Sequence, residues 1–167
     1  RGVAPIAVAL DAPDLGTAVG WAVDVAPHVA VLKIGLETYL RDGADGVGAI
    51  TSAAGGTAGG PALFLDLKLH DIPNTVAGAA RSVADLRPAF LTVHALGGPA
   101  MVAAATEACP DTFVTAVTIL TSMDEAALDA VGIAGTPTAA AVRLAKLAVA
   151  AGARALVCSP LEVAQIR

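Results

Sequence analysis

Phe64-Leu65-Asp66-Leu67-Lys68-Leu69-His70-Asp71-Ile72-Pro73-Asn74-Thr75-Val76 reads as a strand running into a helix, with three charges gathered at the join. Residues two apart on a strand leave the same face, so Asp66 and Lys68 project together. Asp71 follows in the loop, and Pro73 suits the first turn of the next helix. Two carboxylates therefore flank one ammonium at a strand end. At an effective dielectric near 20, a pair about 4 Å apart is worth roughly 4 kcal/mol. Repulsion between the acids and loss of hydration offset that gain. Net stability explains the triad poorly, whereas an ammonium between two acids suits a proton donor.

The surrounding chain repeats the same strand-to-helix pattern. Apolar runs near Ile6–Leu10, Val29–Ile34, Ala62–Leu67, Phe90–Val93, Val114–Leu120 and Ala155–Val157 predict strands. Ala-rich stretches predict helices near Leu15–Val25, Leu36–Ala53, Thr75–Leu86, Pro99–Cys109, Thr138–Ala151 and from Leu161 onward. Asp14 and Thr136 or Thr138 are candidate N-caps, Pro99 and Pro137 suit first turns, and Gly152 is a natural C-terminal stop. Segment 52–60, rich in glycine, is expected to be a flexible connection.

Alternating strands and helices imply parallel strands with right-handed crossovers. An open doubly wound sheet and a closed barrel both satisfy that pattern. No G-x-G-x-x-G follows the first strand, which weakens the dinucleotide-binding option. Asp11, Lys33, Asp66, Lys68, His94, Thr121 and Ser159 all fall at or just past predicted strand ends. Barrel active sites assemble at that end. The predicted fold is therefore α/β, a (β/α)8 TIM barrel with about six βα units present. A whole barrel typically takes about 250 residues. Residues 1–167 are thus expected to form one barrel domain that stops before its last two units, and the lack of an initiator Met predicts lost residues at the other end.

Composition narrows the function classes. Hydrophobic residues make up 56% and charged residues 15%, which excludes a disordered chain. Charges interrupt the apolar sequence well short of the roughly 20 residues needed to span a bilayer. Much of the apolar content is alanine and valine, as expected of parallel strands buried on both faces. A formal net charge of −5 argues against a nucleic-acid surface. It leaves room for a small phosphorylated ligand held by backbone amides. Cys109 and Cys158 lie far apart in apolar surroundings, predicting buried, reduced, inert thiols and a cytoplasmic protein.

Asp66-Leu67-Lys68-Leu69-His70-Asp71-Ile72-Pro73-Asn74-Thr75 resembles the D-x-K-x-x-D-I-P-N-T signature of the orotidine 5′-phosphate decarboxylase family. Further ordered likenesses run through the chain: Val8-Ala9-Leu10-Asp11, Leu32-Lys33-Ile34-Gly35, Val93-His94-Ala95 with Gly97-Gly98, Thr118-Ile119-Leu120-Thr121-Ser122-Met123, and Val157-Cys158-Ser159. The resemblance implies decarboxylation of orotidine 5′-monophosphate, the last step of de novo UMP synthesis, without metal or organic cofactor. It implies that Lys68 protonates C6, that Asp66 sits near the substrate carboxylate and, with Lys33, belongs to an alternating charge network, and that Asp71 is also catalytic. Asp11 and Lys33 would contact the ribose hydroxyls, and Thr121 and Ser122 the pyrimidine and its surroundings. Asp71, Ile72 and Thr75 would reach into the site of a neighbouring subunit, making a homodimer with shared sites. The family's phosphate ligands, a Gln and an Arg, come from later strands and are expected after Arg167.

Plainer roles suit other residues. His70 reads as a surface or packing histidine and His28 as solvated, while His94 fits a site-lining or a core role equally. The three are too scattered for a zinc set. Gly97-Gly98 reads as a strand-to-helix turn, Asp124-Glu125 as a helix cap, and Trp21 as a packing residue. A magnesium-dependent sugar-phosphate lyase or decarboxylase of the same barrel group shares D-x-K-x-x-D, but Ile72-Pro73-Asn74-Thr75 favours orotidylate. A barrel that binds nucleotide without catalysis is the other alternative.

Overall fold

A computed structural model describes residues 3–167, with the backbone alone at Thr57. The strands are β1 (Ala4–Ala9), β2 (Val29–Gly35), β3 (Ala62–Leu69), β4 (Phe90–His94), β5 (Phe113–Val117) and β6 (Ala155–Val157). They lie in one sheet in sequence order. Parallel pairing joins β1 to β2, β2 to β3 and β5 to β6. The helices are α1 (Leu15–Val25), α2 (Leu36–Ala53), α3 (Gly56–Gly59), α4 (Pro73–Val83), α5 (Pro99–Ala108), α6 (Glu125–Ala130), α7 (Pro137–Ala150) and α8 (Val163–Ile166). Strand thus alternates with helix as predicted.

Two compact units are distinguished. One holds the residues up to Leu67 together with Arg81–Leu91, the other Lys68–Ala80 with Thr92–Arg167. In the first, the run Val29-Ala30-Val31-Leu32 pairs on both sides as β2, and Leu32 and Ile34 are buried. Phe64 and Phe90 meet with ring centroids 5.5 Å apart. In the second, α7 buries Ala140, Ala141, Leu144, Ala145 and Ala148 on one face at helical spacing. Small alanines there let backbones pack closely.

The local signals act as their chemistry dictates. Asp14 caps α1, accepting the Thr17 amide at 2.8 Å, which holds its carboxyl below the ordinary carboxylate range. That cap favours the fold above the unfolded carboxyl's pKa and weakens as acid protonates it. Thr136, rather than Thr138, caps α7 through the Ala139 amide, and Asp124 caps α6 through the Ala127 amide. Pro73, Pro99 and Pro137 each open a helix.

Several expectations need correcting. β1 is mostly exposed rather than buried on both faces, because as the first strand of the sheet order it pairs only with β2. Segment 52–60 contains a short helical turn, α3, instead of a wholly irregular connection. Gly43, at φ 64°, kinks α2. β5 stops at Val117, three residues short of Leu120: the Thr118 amide still reaches the Val157 carbonyl, but a turn closed by Met123 N–H to Leu120 O at 2.9 Å then takes over. Trp21 is exposed, Cys109 is buried, and Cys158 is only half-buried. Burial pushes both thiols above the ordinary range, so neither carries an activated sulfur. Among the described residues, no helix is long and apolar enough to cross a membrane.

Gly152 closes α7 with φ 99°, its amide and that of Ala153 donating to Val149 and Ala148 carbonyls. A side chain there is strained, and a Cβ would lie 3.2 Å from Thr106 Oγ1. Gly152→Ala should therefore lower unfolding free energy by about 1–2 kcal/mol, measured by urea denaturation.

Candidate active site

β3 positions the central charges. Leu63, Leu65 and Leu67 are buried, and Phe64 and Asp66 alternate with them on the half-buried face. At half-buried Lys68 the backbone turns left-handed, out of the strand geometry on which a face shared with Asp66 was predicted. β2 supplies the partner cation. Lys33 stands opposite Phe64 and Gly35 opposite Asp66 in the parallel register. From there Lys33 Nζ reaches forward to Asp66 Oδ2 at 3.2 Å, with the two side chains 24% and 12% exposed. Both ions have lost much of their water, so their pairing replaces hydration that a surface pair would keep.

Asp11 follows β1 and is exposed, but the loop beneath it is pinned. Leu10 N–H donates to the Lys33 carbonyl at 2.9 Å, Thr38 Oγ1 donates to the Leu10 carbonyl at 3.1 Å, and Arg41 donates to the Ala12 carbonyl at 2.7 Å. Asp42 in turn holds the Arg41 guanidinium at 2.6 Å. A Cβ at Gly35 would lie 3.1 Å from Asp11 Oδ1 and 3.6 Å from Lys33 Nζ. The bare backbone at Gly35 is what lets the Asp11 carboxylate and the Lys33 ammonium approach one place.

Lys68 has an unusual backbone. Its φ is 49°, one of two positive values among the described non-glycine residues. A left-handed L-residue costs about 1–2 kcal/mol and persists only where its surroundings impose it. Here the Lys68 amide donates to Thr92 Oγ1 at 2.8 Å, and Thr92 is fully buried in β4. The strand runs on to Leu69, two residues past its predicted end.

Asp71, Ile72 and Thr75 are all exposed. Asp71 Oδ1 accepts the Ile72 amide at 2.6 Å, which fixes the loop before α4. His70, Asp71, Ile72, Pro73, Leu96 and Gly97 line a wide-open hollow of about 530 Å³. The His70 and His94 rings tilt together with centroids 5.4 Å apart. Two of the three histidines are thus neighbours, and the described residues hold no group of three side chains suited to a metal. Gly97 is tightly packed, since a Cβ there would strike Met101. Ala95–Gly97 form a single 3-10 turn between β4 and α5, in agreement with the turn reading. Thr121 lines a separate cleft of about 170 Å³ with Ser159 and Glu162, whereas exposed Ser122 is not among its walls.

Thr38, Arg41 and Thr92 were not anticipated as supports. Nothing in their local sequence marks them, because each acts on a backbone group distant in the chain. Gly35 was legible only as part of Leu32-Lys33-Ile34-Gly35.

Strand–helix alternation in one sheet defines an α/β protein with charged strand ends, and comparison with known proteins gives the family. The chain belongs to the orotidine 5′-phosphate decarboxylase / HUMPS family, which it matches over residues 4–167. It is 66% identical over 164 residues to the orotidine 5′-phosphate decarboxylase of Thermobifida fusca, covering 98% of this chain and 68% of that protein. It is 59% identical over 179 residues to that of Frankia casuarinae, covering 100% of this chain and 65% of that protein. The chain thus spans about two thirds of the length of these curated relatives. A crystal structure of orotidine 5′-phosphate decarboxylase from Lactobacillus acidophilus superposes with a TM-score of 0.82 at 33% identity, over 97% of this chain and 74% of that one.

Replacing Thr38 by valine keeps its shape but leaves the buried Leu10 carbonyl without that donor. The expected loss is about 1–3 kcal/mol of unfolding free energy, read from denaturant melts.

Proposed function

We propose that the protein decarboxylates orotidine 5′-monophosphate to UMP and carbon dioxide in the cytoplasm. The observation that carries this reading is the 3.2 Å Lys33–Asp66 ion pair, with Lys68 two residues further along the same strand. Breaking the bond from C6 to the carboxylate leaves an electron pair on C6, in the ring plane. Lys68 donates its ammonium proton to that carbon and is reprotonated from solvent. Asp66 faces the substrate carboxylate, so their repulsion falls away as neutral carbon dioxide departs. Lys33 holds Asp66 in place and, with Asp11, binds the ribose hydroxyls. Thr121 and Ser122 contact the pyrimidine.

No metal or organic cofactor enters this scheme. The largest enzymatic accelerations exceed about 20 kcal/mol, and fixed charges aimed at developing negative charge supply a share. Ile72-Pro73-Asn74-Thr75 favours orotidylate over the sugar phosphates used by magnesium-dependent relatives.

The complete protein, in this reading, closes as a single (β/α)8 barrel whose later strands hold the phosphate. It works as a homodimer, with Asp71, Ile72 and Thr75 entering the partner's site. The 66% exposure of Ile72 beside exposed Leu96 supports that surface role.

In the full natural chain, decarboxylation followed by the loss of orotidylate absorbance should survive EDTA unchanged. Lys68→Ala should lower kcat by at least about 10²–10⁴-fold. Full turnover in Lys68→Ala, or loss of activity on chelation, would reject the scheme. Ile72→Asp should shift the protein toward monomer in sedimentation velocity and lower kcat with it; an unchanged dimer would remove Ile72 from the interface.

A further inference from the structure

We propose that Thr92 is a positioning residue, whose buried hydroxyl sets the backbone of Lys68 and through it the location of the ammonium. The inference rests on the reading of Lys68 as the proton donor.

Ordinary parallel pairing would send a strand amide to a backbone carbonyl of the neighbouring strand. The Lys68 amide also has a side-chain acceptor, Thr92 Oγ1, at 2.8 Å. This bond coincides with the left-handed φ of 49° at Lys68, on a residue type that rarely adopts it. Thr92 is well suited to hold such a bend. It is 0% exposed, sits mid-strand between buried Leu91 and Val93, and is β-branched, so its χ1 has little freedom. Water cannot readily substitute for the acceptor at a position so enclosed. The bend lies in the lysine itself, so relaxing it would re-aim the Cα–Cβ bond and carry the ammonium at the far end of the side chain away from C6. A carbon moved by about 1 Å from productive geometry can cost on the order of 10²-fold in rate.

Thr92→Val preserves volume and branching but removes the acceptor, whereas Thr92→Ser retains the hydroxyl. In the full natural chain, Thr92→Val should lower kcat for orotidine 5′-monophosphate about 10- to 100-fold and leave KM within about threefold. Thr92→Ser should stay within about threefold of the parent in kcat. Because Thr92 acts through Lys68, adding Thr92→Val to Lys68→Ala should produce little further loss. A parental kcat in Thr92→Val, equal losses in Val and Ser variants, or additive losses in the double variant would overturn the proposal. Lys68→Ala with full turnover would instead sink the proton-donor reading and this inference with it, so the two failures are distinguishable. Should the valine variant not fold, amide hydrogen exchange at Lys68 in the parent decides: slow exchange supports the bond, and exchange at the rate of a free amide overturns it.

Discussion

One ammonium and one carboxylate, Lys33 Nζ and Asp66 Oδ2, meet 3.2 Å apart on adjacent parallel strands, and the candidate site is built around that contact. It depends on register. Lys33 lies opposite Phe64, so its long side chain must run forward along the sheet to reach Asp66. A slip of one residue between β2 and β3 would turn one partner toward the opposite face. The apolar alternates Leu32, Ile34, Leu63, Leu65 and Leu67 oppose such a slip, since it would expose them. Hydrophobic packing therefore fixes electrostatic geometry here, rather than the reverse.

Supports around the pair are mostly neutral groups acting on the backbone. Thr38 and Arg41 bond carbonyls on both sides of Asp11, Gly35 leaves room for the Asp11 carboxylate near Lys33, and Thr92 takes the amide of Lys68. Charges at strand ends are costly when mobile and unpaired, because each rearrangement means fresh reorganisation of surrounding dipoles. Holding the peptide beneath each charge gives the preorganisation that electrostatic catalysis requires.

Most of the fold was legible in the sequence because strand and helix signals coincided with turn chemistry. Asp14, Thr136, Pro73, Pro99 and Gly152 all stand where capping rules put them. Element ends were less legible. β3 outruns its predicted end, where Thr92 of β4 takes the Lys68 amide, while β5 falls short because a local turn closed by Met123 and Leu120 takes over. The exposure of β1 was also hidden, since an apolar run looks the same whether or not a neighbour covers it. In the site, Asp66 and Lys68 were visible because two charges interrupt a leucine-rich strand, and Asp71 because it follows at once in the loop. Lys33 was visible as a lone cation ending another. Thr92 was not, because a threonine within Phe90-Leu91-Thr92-Val93-His94 is an ordinary strand residue until its hydroxyl is seen to hold a peptide of β3.

The most direct test removes the cation and keeps the shape. Single-turnover decarboxylation by Lys33→Met in the full natural chain, with folding checked by circular dichroism, isolates the chemical step. If the Lys33–Asp66 pair organises the site, the step should slow by about 10²-fold or more while the variant stays folded. A folded Lys33→Met protein that decarboxylates at the parental rate would contradict the account.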